Sequence, residues 1–167
     1  MSDQQRYAIE RTIEGVEIRL YPPMVLATVR EMPDNEAFGI LFKYISGNNR
    51  SPRRATGERI AMTAPVFSAT DSFSFAMPST YSIDTAPLPL DARSVIERLP
   101  ARRVAALKFS GTAPEKAVAA KSRELLATLE RHELRVLGSA FLMRYNAPFT
   151  PGFMRRNEVG VELVGAG

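Results

Sequence analysis

One histidine and no cysteine narrow the chemistry open to this chain of 167 residues. His132, in LERHEL, sits near the C-terminal end of a helical pattern, where a histidine interacts favourably with the helix dipole. A structural role accounts for it, and without a second histidine or any thiolate zinc ligation is not expected. The absence of cysteine also excludes disulfides and cysteine nucleophiles. A serine nucleophile would need this same His132, and no serine stands in a G-x-S-x-G turn. Phosphate-loop and dinucleotide fingerprints are missing as well. Carboxylates at Glu10, Glu17, Glu31, Glu58 and Glu158 leave acid–base catalysis open, but the sequence pairs no two of them in space.

What remains is apolar and aromatic content with a basic fringe. Met62, Phe73, Phe75, Met77, Met143, Tyr145 and Phe149 cluster in strand-like stretches and the turns after them. Packing in a core is the ordinary role of each. Beside proline-containing turns they also suit a large flat hydrophobic ligand, whose acidic groups would seek lysine or arginine at the rim. The pairs Arg53-Arg54, Arg102-Arg103 and Arg155-Arg156 read as solvated charge. The last pair stands apart because it leads straight into a strand at Asn157.

Lysine and arginine number 22 against 18 acidic residues, a net charge of +4 spread along the chain. That balance suits small acidic ligands and lacks the concentrated basic stripe of a nucleic-acid reader. No run approaches the roughly 20 apolar residues that span a bilayer, and the opening residues have no leader-like apolar core. The chain therefore reads as cytoplasmic, with no membrane or nucleic-acid partner.

The elements that must hold these side chains follow from periodicity. Tyr7 to Leu20 alternates around Glu14-Gly15 as a hairpin, with Val16, Ile18 and Leu20 on one face and Glu17 and Arg19 on the other. Met24 to Val29 reads as a more buried strand. Asp34 opens a helix with Ala37, Leu41, Tyr44 and Ile45 on its apolar stripe, stopped by Gly47. GNNRSPRRATGE, residues 47–58, reads as an exposed loop. Strands are expected from Ile60 to Val66, where Pro65 marks a strand end, and from Ser72 to Met77, followed by a proline-rich connection.

The second part repeats this order. Arg103 to Phe109 is a strand, Thr112 to Glu115 has the form of a capping box, and Val118, Ser122, Leu125, Leu126 and Leu129 line a helix. Strands from Leu134 to Tyr145 and from Asn157 to Leu163 follow, and Ala147-Pro148 echoes Ala64-Pro65. We read a single domain over residues 1–167, made of two similar strand-helix-strand-strand halves at about 7–90 and 91–164. Such halves would share one antiparallel sheet or distorted barrel with two helices packed outside, an α+β fold.

The stretches KYISG at 43–47, IAMTAPV at 60–66, FAMP at 75–78, YNAP at 145–148 and RRNEV at 155–159 together resemble the SOUL, or haem-binding protein, family. The resemblance runs from about Tyr7 to Leu163. It implies a twisted antiparallel β-barrel of two similar halves, each with one flanking α-helix, and binding of haem or a related tetrapyrrole as carrier or buffer. In that family apolar side chains meet the macrocycle and basic ones its propionates. Carried over, Lys43, Met62, Met77, Met143, Tyr145, Phe149 and Arg155 become the candidate cofactor-binding residues. Some members ligate iron through an early histidine; here none precedes His132, so any haem would be held mainly by burial and propionate pairing, or ligated weakly by Met62, Met77 or Tyr145. The alternative is an enzyme acting on a small apolar or tetrapyrrole ligand in the cleft between the halves. A protein partner, as proposed for some animal relatives, is a third possibility.

Overall fold

The structure, a computed structural model, describes residues 3–146 and 150–165. In chain order its elements are β1 (Asp3–Gln4), β2 (Ala8–Ile13), β3 (Val16–Tyr21), β4 (Met24–Arg30), α1 (Asp34–Ile45), β5 (Asn49–Arg50), β6 (Thr63–Ala64), β7 (Val66–Ser68) and β8 (Ser72–Ala76). There follow β9 (Leu88–Pro89), β10 (Ser94–Leu99), β11 (Arg102–Phe109), α2 (Glu115–Arg131), β12 (Val136–Arg144), a single 3-10 turn at Gly152–Met154, and β13 (Asn157–Leu163). They fall into two compact units: residues up to Gln5 with Pro23–Pro100, and Arg6–Pro22 with everything from Ala101 on. These bounds differ from the expected halves, because the first hairpin groups with the later strands.

In the first unit the main sheet is antiparallel in the order β10-β4-β8-β7. Short pairings of β1 with β6, parallel, and of β5 with β9, antiparallel, trim its margins. Along the expected strand SFSFAM, residues 72–77, the side chains of Phe73, Phe75 and Met77 enter the core with Val25, Ala27 and Val29 of β4. Helix α1 lays Ala37, Ile40, Leu41, Tyr44 and Ile45 on that layer, and Phe38 meets the rings of Phe73 and Phe75 edge-on. The helix ends where expected, with Gly47 at φ 122°, a conformation that favours glycine. The strand expected from Ile60 to Val66 is interrupted: Pro65, reached through a cis peptide bond, separates β6 from β7. β10 lies in the stretch after the proline-rich connection, where no strand was expected.

In the second unit the order is β12-β13-β11-β3-β2, all antiparallel. One face packs Val16, Ile18, Ala105, Leu107, Val159, Val161 and Leu163 against Leu125 and Leu129 of α2. On α2 Thr128, rather than the expected Leu126, joins the buried stripe. The expected capping box does not form: Pro114 is the N-cap, no side chain caps the helix, and Glu115 is its first residue. Among the described residues β10 does not pair with β7 within the first unit, and β12 does not pair with β2 within the second. Neither unit thus closes its sheet into the expected barrel. The α+β assignment, antiparallel sheets with two α-helices, holds.

Candidate functional site

The second face of the second unit's sheet carries a cluster of charge where alternation predicted solvent. Glu17, Arg19 and Tyr21 follow one another on β3, with Arg19 fully buried and Leu20, expected inside, 45% exposed. On β13 the same alternation brings Glu158 to this face, also fully buried. The two side chains reach each other from strands separated by β11. Ala106, opposite both Glu17 and Gly160, supplies only a methyl group in the row they cross.

Arg19 holds Glu158 bidentately, with Nη1 donating to Oε1 and Nη2 to Oε2, each at 2.6 Å. It also donates to Glu17 from Nε and Nη2, and from Nη1 to the Tyr21 hydroxyl at 3.0 Å. Tyr145 donates to Glu158 Oε1 at 2.6 Å. Arg156 adds Nε and Nη2 on Oε2 at 3.3 and 3.0 Å. Tyr7 accepts from Arg156 Nη2 at 3.1 Å and lies with its ring 4.1 Å from the Arg19 guanidinium.

Burial alone would raise the Glu158 carboxyl, but hydrogen bonds and charge from Arg19, with Tyr145 and Arg156 behind them, bring it below its ordinary value. The same burial pushes the Tyr145 hydroxyl up, and the neighbouring Tyr21 and Glu158 push it further. The cluster is consequently a fixed array of ionised acid, guanidinium and neutral phenol. It is not a proton-exchanging pair.

The first unit has a smaller counterpart. Glu58, buried at the end of the expected loop, accepts from Ser51 Oγ at 2.8 Å, Arg53 Nη2 at 3.0 Å and the Tyr81 hydroxyl at 3.0 Å. Asn49 closes the loop, donating to the carbonyls of Tyr44 and Glu58 and accepting from the Glu58 amide. Desolvation would raise this carboxyl as well, and the hydrogen bonds from Ser51 and Tyr81 with the charge of Arg53 lower it below its ordinary value. The loop expected to be exposed does expose its arginines, yet buries Asn49, Ser51 and Glu58.

The candidate residues separate on this geometry. In the first unit Lys43 is exposed in the last turn of α1, Met62 is half-buried against the core, and Met77 is within that core at 2% exposure. Near Lys43, Asp91 is held down to about 2 by hydrogen bonds from Arg93, with a smaller Coulombic contribution from Lys43. In the second unit Met143 is fully enclosed, and Tyr145 is buried and committed to Glu158. Arg155 is half-buried and donates to the Thr150 carbonyl at 2.7 Å. Phe149 and Ala147-Pro148 lie outside the described residues. His132 caps α2 and meets Glu14 at 2.8 Å on the surface.

Sequence reasoning missed Arg19, Tyr7 and Tyr21 as site residues, and it named Glu158 only among several carboxylates that it could not pair. A signal was present in part, for Glu17, Arg19 and Tyr21 alternate along one strand, and Arg156 and Glu158 stand two apart at the start of another. Among the described residues no group of three or more histidine, cysteine or carboxylate side chains could hold a metal ion, and no helix is long and apolar enough to cross a membrane.

Solved structures similar to this chain share its fold at low identity. The C-terminal domain of EcmrR aligns with a TM-score of 0.63 and 11% identity over 96% of this chain and 99% of that one. A hydrolase from Listeria innocua aligns at 0.60 and 11%, over 93% and 94%. SAV2435, bound to tetraphenylphosphonium, aligns at 0.52 and 14%, over 90% and 94%. No curated protein matches the chain. The family model described as SOUL heme-binding protein matches residues 2–162, nearly the whole length, and the chain belongs to that family.

Proposed function

We propose that this protein binds haem or a related tetrapyrrole and acts as its carrier or buffer. The observation that carries the reading is the match of nearly the whole chain to a haem-binding family. The side chains present fit such a ligand in part. A propionate could be met by the exposed Lys43 or by the half-buried Arg155, and the half-buried Met62 offers an apolar, polarisable contact to a macrocycle. Axial ligation fits less well, because Met77 and Met143 are enclosed and the Tyr145 hydroxyl already serves Glu158. Of the thioethers and phenol named for iron, Met62 alone is partly open to a ligand. Burial and carboxylate pairing, with little or no ligation, are the expected mode, in the manner of a small hydrophobic acid.

Titration of the full chain with haemin tests this, read as a shift of the Soret band. Lys43→Ala should weaken binding about two- to fivefold, the range of an exposed ion pair, and Met62→Asp should weaken it more. An unshifted Soret band in the unaltered protein overturns the reading.

An enzyme using a carboxylate acid is the other reading, and one of the similar structures is called a hydrolase. It would need a glutamate that holds its proton near neutral pH. Glu58 and Glu158, the buried glutamates, are both held ionised by cations instead. Nor does Glu158 offer free negative charge to a lipophilic cation such as the one bound by SAV2435, since two guanidiniums already neutralise it.

A further inference from the structure

We infer that Arg156 and Tyr7 form a seat for the carboxylate of an apolar acid, with the Arg19–Glu158 pair as its buried foundation. The inference rests on the tetrapyrrole reading for the identity of its ligand, and adds where an acidic group is held.

Charge supplies the first argument. Glu158 takes five hydrogen bonds: two from Arg19, one from Tyr145 and two from Arg156. Arg19, with no exposed surface, already balances it, and Glu17 is shared between Arg19 and Lys108 at 2.6 and 3.6 Å. Three cations therefore face two carboxylates, and the surplus lies at Arg156, whose side chain is 31% exposed. A half-buried guanidinium that must share its counter-ion with a second arginine keeps part of its charge uncompensated and attracts an anion.

Donor accounting gives the second. A guanidinium has five N–H groups, and Arg156 commits Nε and Nη2 to Glu158 and Tyr7. Its Nη1 has no partner among the described residues. Because the Tyr7 oxygen accepts from Arg156, its own hydrogen must be given elsewhere, and no acceptor for it is found among the described residues either. Two free donors thus belong to half-buried side chains that are themselves joined by a hydrogen bond, Arg156 Nη2 to the Tyr7 oxygen. A carboxylate, with two acceptor oxygens, matches that pair; an ester does not carry the charge.

Rigidity is the third. The Arg156 guanidinium lies 4.0 Å over the Tyr145 ring, its amide donates to Asn146 Oδ1, and its carbonyl accepts from the Tyr145 amide at 3.2 Å. Tyr7 packs on Tyr21 with ring centroids 5.1 Å apart. Donors already oriented lose little freedom when a ligand arrives. Phe153, 83% exposed, and Met154, 62% exposed, stand three and two positions before the arginine in the chain as uncovered apolar side chains.

The test follows the Arg156 Nε–H resonance by NMR in the full chain, assigned by its loss in Arg156→Lys. Protoporphyrin IX, its dimethyl ester and octanoate are titrated in turn, and haemin binding is measured by absorbance in Tyr7→Phe and Arg156→Gln. Both free acids should shift the resonance and the ester should leave it in place. Haemin affinity should fall three- to fivefold in Tyr7→Phe, which keeps the ring, and about tenfold in Arg156→Gln. If haemin binds yet neither variant weakens it and the ester shifts Arg156 as the acid does, the seat is wrong and the tetrapyrrole reading stands. If octanoate shifts Arg156 while haemin gives no spectral change, the seat stands and the tetrapyrrole reading falls. A resonance unmoved by either acid overturns the seat whatever haemin does.

Discussion

Glu158 and Arg19 occupy positions that a hydrophobic-in, polar-out reading assigns to water, and both have no exposed surface. An ion pair so placed is held by its partners and not by attraction alone. Desolvating the two charges costs several kcal/mol each, and the Coulombic gain offsets this only where geometry is good and remaining hydrogen-bonding capacity is used. Here the pair is bidentate, and Tyr21, Glu17, Tyr145 and Arg156 take up the rest. Glu158→Gln should therefore destabilise the fold by about 3–5 kcal/mol, the cost of leaving a buried charge without its partner. The joint replacement Arg19→Met with Glu158→Leu should recover part of that loss, since the buried Tyr145 hydroxyl, Glu17 and Arg156 still lose partners. Urea unfolding followed by circular dichroism measures both; a single variant within about 0.5 kcal/mol of the parent would show that the pair is not the anchor described.

At the scale of elements, the helices and most strands were legible and the loops were not. α1 was readable because its start, its apolar stripe and its glycine stop agree with one another. The capping box before α2 misled, because Thr112 and Pro114 both mark a helix start and the fixed φ of proline took the position. The segment 47–58 was read from its turn residues, which reveal nothing of Asn49 and Glu58 facing inward. What seats it is the close approach of Gly57: a Cβ there would stand 1.9 Å from the Gly47 carbonyl oxygen and 2.8 Å from that of Asn49. Gly57→Ala should cost at least about 2 kcal/mol, since backbone on both sides must yield. Gly39, inside α1 with nothing within 4 Å of a built Cβ, is the contrast. Gly39→Ala should stabilise by roughly 0.5–1 kcal/mol through helix propensity. Equal shifts in melting temperature for the two substitutions would contradict this account of the loop.

For the molecule as a whole, each unit contains a buried glutamate kept ionised by cations and hydroxyls, Glu58 in one and Glu158 in the other. This was not readable from composition, since the chain's net charge of +4 hides which acids are inside. Turn residues put Glu58 in a loop and periodicity put Glu158 in a strand, and neither signal indicated that the carboxylate would be covered. The consequence is a common dependence on pH. Folding lowers both carboxyls below their ordinary value, so on acidification the unfolded chain takes up the two protons before the folded chain does. The stability they contribute is whole above about pH 5 and is lost as pH falls through each folded value. Denaturation midpoints should hold steady from pH 7 to about pH 5 and fall steeply below about pH 4. Glu58→Gln and Glu158→Gln should each start lower and decline less, because each removes one of the two groups that titrate. A decline in both variants as steep as in the parent would place the acid sensitivity in the surface carboxylates, and would detach it from the buried glutamates of either unit.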